Sequence, residues 1–149
     1  MYKNEMILKF KAINENEAFA RVCISAFIVS MDPTIDEIGD IKTAVSEAVT
    51  NCVVHAYDEK VIGDIEMKAV IEDNNIYISI RDFGVGIEDI DKAKEPFFTS
   101  KPSKERSGMG FTVMESFMDS VNITSQKDHG TLIEMYKTIG KTVNIACGV

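Results

Sequence analysis

A chain of 149 residues with 45% hydrophobic residues and 3 prolines fits one compact domain with a real core and leaves no room for a second large domain. Its formal charge of −8 disfavours direct binding to a nucleic-acid backbone and suits a partner with a basic face. No stretch approaches the roughly 20 apolar residues of a membrane helix, and the alternating N-terminal run is no signal peptide. The expectation is a cytoplasmic protein with no membrane partner.

In chain order, Met6, Leu8 and Phe10 alternate with polar neighbours and predict a first strand, ended by the Asn/Glu cluster from Asn14 to Glu17. Asn14 or Asn16 can cap the helix that follows. Its apolar set Phe19, Val22, Cys23, Ala26, Phe27 and Ser30 recurs at helical spacing until Asp32-Pro33. Thr34 with Glu37 three residues on is a capping-box pattern. It opens a second helix to about His55, with Ile38, Ile41, Val45, Ala48, Val49 and Cys52 as its buried stripe. The runs Ile65/Met67/Ala69/Ile71 and Ile76/Ile78/Ile80 predict a hairpin across Asp73-Asn74-Asn75. Between Gly84 and Gly110 weak periodicity and Gly, Pro, Lys and Ser predict a functional loop or lid. A short helix from about Met109 to Asp119 and strands over Val121–Ser125 and Thr131–Lys137 complete the chain. Helices and mostly antiparallel strands in this order predict an α+β two-layer sandwich, one sheet with helices on one face. Three widely spaced cysteines, Cys23, Cys52 and Cys147, read as reduced, buried thiols.

Four short patterns carry chemistry. Glu47 and Asn51, four apart on the second helix, share a face: a carboxylate can take a proton from a hydroxyl, and an amide oxygen suits Mg²⁺. Asp82-x-Gly84-x-Gly86 follows the second hairpin strand. There an acidic side chain can accept from an exocyclic amine, and glycines let the backbone approach a flat ligand. Arg106-Ser107-Gly108-Met109-Gly110 is a glycine-rich turn opening a helix, so its free amides form an anion site that Arg106 can complete. Lys101 and Lys104 lie just before it, as phosphate contacts or as solvated loop charges. Gly130-Thr131 starts the last strand. Each pattern alone also occurs as an ordinary helix face, turn or strand start.

Together, Glu47…Asn51, Asp82-x-Gly84-x-Gly86, Gly108-x-Gly110 and Gly130-Thr131 resemble the four nucleotide-binding boxes of the GHKL ATPases. The resemblance implies their Bergerat sandwich, with ATP or ADP and Mg²⁺ held between the second helix, the sheet and a lid. The runs from Asn14 to Val22, from Val45 to Asn51 and from Glu105 to Phe111, with Lys101-Pro102, resemble the sporulation anti-sigma F factors almost end to end. That similarity implies a homodimeric protein serine kinase that holds sigma factor F inactive and phosphorylates a serine of an anti-anti-sigma partner. It further implies roles: Glu47 as general base, Asn51 on Mg²⁺, Asp82 on adenine and Arg106 on the γ-phosphate. Gly84, Gly86, Lys101, Ser107, Gly108, Met109, Gly110 and Thr131 would be nucleotide contacts, and Arg21 the partner contact. Phe83 departs from the pattern, which leads one to expect an acidic residue there. Two other readings share these residues: a sigma-sequestering module with little kinase activity, and a stress-response anti-sigma serine kinase.

Overall fold

The computed structural model describes residues 2–58, 60–95 and 110–140. Five antiparallel strands form one sheet in the order β1-β2-β3-β5-β4, where β1 is Lys3–Lys11, β2 Asp64–Glu72, β3 Asn75–Asp82, β4 Ser120–Gln126 and β5 Gly130–Thr138. The helices cover one face: α1 (Glu15–Ile28), α2 (Ile35–Asn51), the short α3 (Ile90–Ala93) and α4 (Gly110–Phe117). This is the expected α+β sandwich with one core. No helix among the described residues is long and apolar enough to cross a membrane.

Strict alternation sets the sheet's two faces. Ile65, Met67, Ala69 and Ile71 of β2 and Ile76, Ile78 and Ile80 of β3 are all buried towards the helices. The two strands pair from Ile65↔Asp82 to Glu72↔Asn75. Asp73 and Asn74 are left as the tight loop, with Asp73 in the left-handed region at φ 52. On the opposite face the tilted rings of Tyr77 and Tyr136 pack with centroids 5.0 Å apart, and the Tyr77 hydroxyl donates to Glu134 at 2.9 Å.

Helix α2 starts as predicted. The Thr34 hydroxyl accepts from the Glu37 amide at 3.1 Å, and the Glu37 carboxylate accepts from the Thr34 amide at 3.0 Å. Ile41, Ala44, Val45, Ala48 and Val49 are fully buried, each large one contributing roughly 1.5–3 kcal/mol to stability. Ile38 is only partly buried. The α-helix ends at Asn51, and a π-helical turn, Cys52–Ala56, continues it, so the helix expected to reach His55 changes its winding directly after Asn51.

Helix α1 corrects the sequence reading twice. Its buried residues are Ala20, Ile24 and Ile28, whereas Phe19 and Val22 are 47% and 67% exposed. The helix is apolar on most of its circumference, so two overlapping stripes satisfy helical spacing and only packing on α2 chooses between them. Nor does an asparagine side chain cap it. Asn14, at the cap position, is already helical and makes no side-chain cap hydrogen bond. Asn16 instead donates to the Lys11 carbonyl at 2.8 Å, tying the helix start to the end of β1.

Ile24→Ala should destabilise the protein by about 3 kcal/mol, while Val22→Ala should change stability by under about 0.5 kcal/mol. Urea unfolding midpoints measure both. Equal losses would place Val22 in the core and reverse the assignment.

Candidate functional site

Sheet register builds the floor of the site. Because β3 pairs with β5 through Arg81↔Leu132, the end of β3 lies beside the start of β5, and Asp82 meets Thr131. Asp82 is 4% exposed, and its Oδ1 accepts from the amides of Gly84 at 3.1 Å and Thr131 at 3.2 Å. Cys52, at the start of the π-helical turn, is buried as well. Burial pushes the Asp82 pKa up, with the two amides and the thiol pulling it back down. Burial, reinforced by the neighbouring Asp82 charge, drives the Cys52 thiol well above its ordinary range.

Glycine is required in the turn after Asp82. A Cβ on Gly84 would collide with the Ala56 carbonyl of the π-helical turn, which also accepts from the Val85 amide at 2.8 Å. Gly86 sits at φ +76, where a Cβ would meet the Gln126 carbonyl. Ser125 ties this turn to β5: its hydroxyl accepts from the Ile87 amide at 2.7 Å, donates to the Gly130 carbonyl at 3.0 Å and lies 2.9 Å from the Thr131 hydroxyl.

Above the floor is a cavity of about 460 Å³, within the range of small-ligand sites. Asn51, Cys52 and His55 line one side, Asp82 and Thr131 the floor, and Lys92 of α3 another wall. At its rim the start of α4 meets the functional face of α2. A Cβ placed on Gly110 would lie 3.2 Å from Asn51 Nδ2 and 3.3 Å from Glu47 Oε2, so both side chains converge on the first residue of α4. The Asn51 Nδ2 is buried without a hydrogen-bond partner among the described residues, and turning the amide over would present its oxygen instead. An oxygen there fits a hard cation held jointly with a ligand's phosphates. Among the described residues no cluster of three or more His, Cys, Asp or Glu side chains forms a self-contained metal cage.

A second depression, the groove between α1 and α2, is lined by both Arg21 and Glu47, together with Lys42, Ser46 and Thr50. Arg21 pairs with Glu17 at 3.2 Å and keeps 41% of its side chain exposed.

The profile of the histidine kinase-like ATPase domain family matches residues 10–137. An anti-sigma F factor of Bacillus subtilis (strain 168) is 51% identical over 140 residues, covering 94% of this chain and 96% of its own length. One from Clostridium botulinum (strain Eklund 17B / Type B) is 56% identical over 137 residues, covering 92% and 96%. The chain belongs to the anti-sigma F factor family. Its fold recurs in the RsbU and RsbW domains of Rv1364c from Mycobacterium tuberculosis, at TM-score 0.66 and 18% identity over 91% of this chain and 32% of that one. It recurs again in the catalytic domain of histidine kinase ThkA, at TM-score 0.54 and 17% identity over 90% and 97%. At those identities the two structures establish the shared fold alone.

Within this family frame, Asn51, Asp82, Gly86, Gly110 and Thr131 line one cavity, Glu47 reaches Gly110 at its rim, and Gly84 packs against the Ala56 carbonyl. Arg21 lies in the adjoining groove. Lys101, Lys104, Arg106, Ser107, Gly108 and Met109 lie outside the described residues. Phe83 does not line the cavity. It is exposed beneath the Arg81 guanidinium, 5.3 Å from its ring centroid, so the missing acidic residue costs the cavity no charge.

Sequence reasoning missed Ser125, the thiol of Cys52 and Tyr57. The Tyr57 hydroxyl donates to the Asp64 carbonyl at 2.6 Å and accepts from the Phe83 amide at 2.8 Å, joining the start of β2 to the end of β3. None of the three has a recognisable sequence signal, and the Tyr57 and Ser125 bonds span 5 to 38 positions.

Asp82→Asn keeps an oxygen for the two amides but replaces the charged acceptor. It should leave the protein folded and weaken ADP binding by at least about tenfold in calorimetry. The folded pKa of Asp82 is raised, so its contribution to stability is complete below the unfolded pKa and is lost as pH rises through the folded one. Wild-type stability measured against Asp82→Asn should therefore decline across that interval. A constant difference would remove the buried-carboxylate description.

Proposed function

We propose that this chain is a cytoplasmic anti-sigma factor and protein serine kinase. In this reading it binds MgATP, acts as a homodimer to hold sigma factor F inactive, and transfers the γ-phosphoryl group to a serine of an anti-anti-sigma partner. The observation that carries the reading is the convergence of Glu47 and Asn51 on Gly110 beside the Asp82 cavity, in a chain half identical to anti-sigma F factors.

The chemistry follows from the donor set. Asp82, fixed by the Gly84 and Thr131 amides, offers its remaining acceptor capacity to the exocyclic amine of adenine. Gly84 and Gly86 bring the backbone close to the base. The amides of Ser107, Gly108, Met109 and Gly110 would hold the phosphates at the start of α4, with Lys101 and Arg106 offsetting the charge that develops on the γ-phosphoryl oxygens. Magnesium, held by the Asn51 amide oxygen and the phosphates, would supply further positive charge there when bound. Glu47 takes the proton of the acceptor serine as its oxygen attacks in line.

The groove supports a partner acting at the same place. Arg21 and Glu47 line one depression, so a protein that contacts the arginine can present a serine to the carboxylate. Docking and chemistry then share one surface.

Glu47→Gln should lower phosphoserine formation on the anti-anti-sigma partner by at least about 100-fold while changing ATP affinity by less than about threefold. Mass spectrometry of the partner and calorimetry of the variant measure the two effects. Transfer at the wild-type rate would dismiss Glu47 as the base, and a chain that takes up neither ATP nor ADP would end the proposal.

A further inference from the structure

We propose that Ser125 is a positioning residue that sets base specificity: it fixes the Thr131 hydroxyl as an acceptor, so that the cavity floor takes a base edge bearing an amine and rejects one bearing a carbonyl. The inference deepens the nucleotide reading above and rests on it. A serine hydroxyl has one proton to give and two lone pairs with which to accept. At Ser125 all three are engaged. The Ile87 amide donates to its oxygen at 2.7 Å, the Gly130 carbonyl takes its proton at 3.0 Å, and the Thr131 Oγ1 lies 2.9 Å away. With the proton spent on a carbonyl that can only accept, the remaining bond is one in which the Thr131 hydroxyl donates. Were the Ser125 proton turned to Thr131 instead, its oxygen would face the Gly130 carbonyl at 3.0 Å with no hydrogen between them.

Thr131 carries this polarity into the cavity. It is buried on the floor beside Asp82, whose Oδ1 accepts from the Thr131 amide at 3.2 Å. Because its hydroxyl proton is committed to Ser125, the side chain has only lone pairs to offer a ligand. As a carboxylate, Asp82 likewise only accepts. Two neighbouring acceptors suit an exocyclic amine, whereas an exocyclic carbonyl would be buried against them without a donor. The backbone holds the arrangement from both sides. Ser125 and Thr131 are direct partners in the β4–β5 register, so their side chains share one face of the sheet. The Asp128 amide donates to the Val85 carbonyl at 2.8 Å, which clasps the β4–β5 turn to the segment that brings the Ile87 amide to Ser125. The hydroxyl polarity therefore cannot invert without breaking a bond that the fold has already placed.

The test compares ADP with inosine 5′-diphosphate, in which a carbonyl replaces the amine, by calorimetry with magnesium on the full chain. Wild type should prefer ADP by at least about tenfold. Ser125→Ala frees the Thr131 proton to meet a carbonyl and should narrow that preference about fivefold. Thr131→Val keeps the shape of the side chain without its hydroxyl and should narrow the preference as well. Adding Ser125→Ala to Thr131→Val should then change it by less than about twofold, because the serine acts through the threonine. Equal losses for both ligands in Ser125→Ala would mean a packing role alone and overturn the proposal. So would narrowing by Ser125→Ala that persists without the Thr131 hydroxyl, or an unchanged preference in Thr131→Val, which can be read even if the alanine variant does not fold. A wild-type protein that binds both ligands equally would remove the adenine reading of Asp82 and the proposal with it, whereas one that takes up neither would end the kinase reading itself.

Discussion

A single carboxylate in a nearly dry place organises this molecule's functional end. Asp82 closes β3, and the amides that satisfy it come from two separate parts of the chain: the turn after β3 and the first residues of β5. A buried carboxylate without such donors would be expensive, so these segments are held to one another by the need to solvate it from within. Ser125 and the Ala56 carbonyl reinforce the same convergence through backbone amides of the intervening turn. The cavity exists because these ties leave space above Asp82 while fixing its walls.

Helix α2 links that cavity to the core. One face, Ile41 to Val49, is sealed against the sheet, and the residues one step around the helix, Glu47 and Asn51, face α4. Rigidity of the first face gives precision to the second, since a side chain on a packed helix has few rotamers to lose on ligand binding. The switch to π winding at Cys52 brings the Ala56 carbonyl against the glycine turn. A regular α-helical continuation would carry different groups to that point.

Glu47 belongs to two surfaces at once, meeting the start of α4 and lining the groove that holds Arg21. In the proposed kinase reading, a base that serves a protein substrate needs this position, open to a partner on one side and adjacent to the phosphate end of a nucleotide on the other. Arg21, paired with Glu17, lines that groove together with Lys42.

Much of this was legible in the amino-acid order because it depends on neighbours in sequence. Alternation wrote β2 and β3, the Thr34–Glu37 pair wrote the start of α2, and the spacing of Glu47 from Asn51 put both on one face, since each rests on a period of 2 or 3.6 residues. The glycine boxes were legible for the same reason, as local conformational requirements. What residue order left open was every choice that depends on a distant partner. Of two apolar stripes on α1, packing on α2 selected Ala20, Ile24 and Ile28. Asn16 found the Lys11 carbonyl rather than its own helix end. Cys52 read as one more core residue until folding put Asp82 beside it, and Ser125 as one more strand position until the glycine turn closed over it. Side-chain period is a property of the chain, but the solvation of a buried carboxylate is a property of what tertiary folding brings within about 3 Å of it.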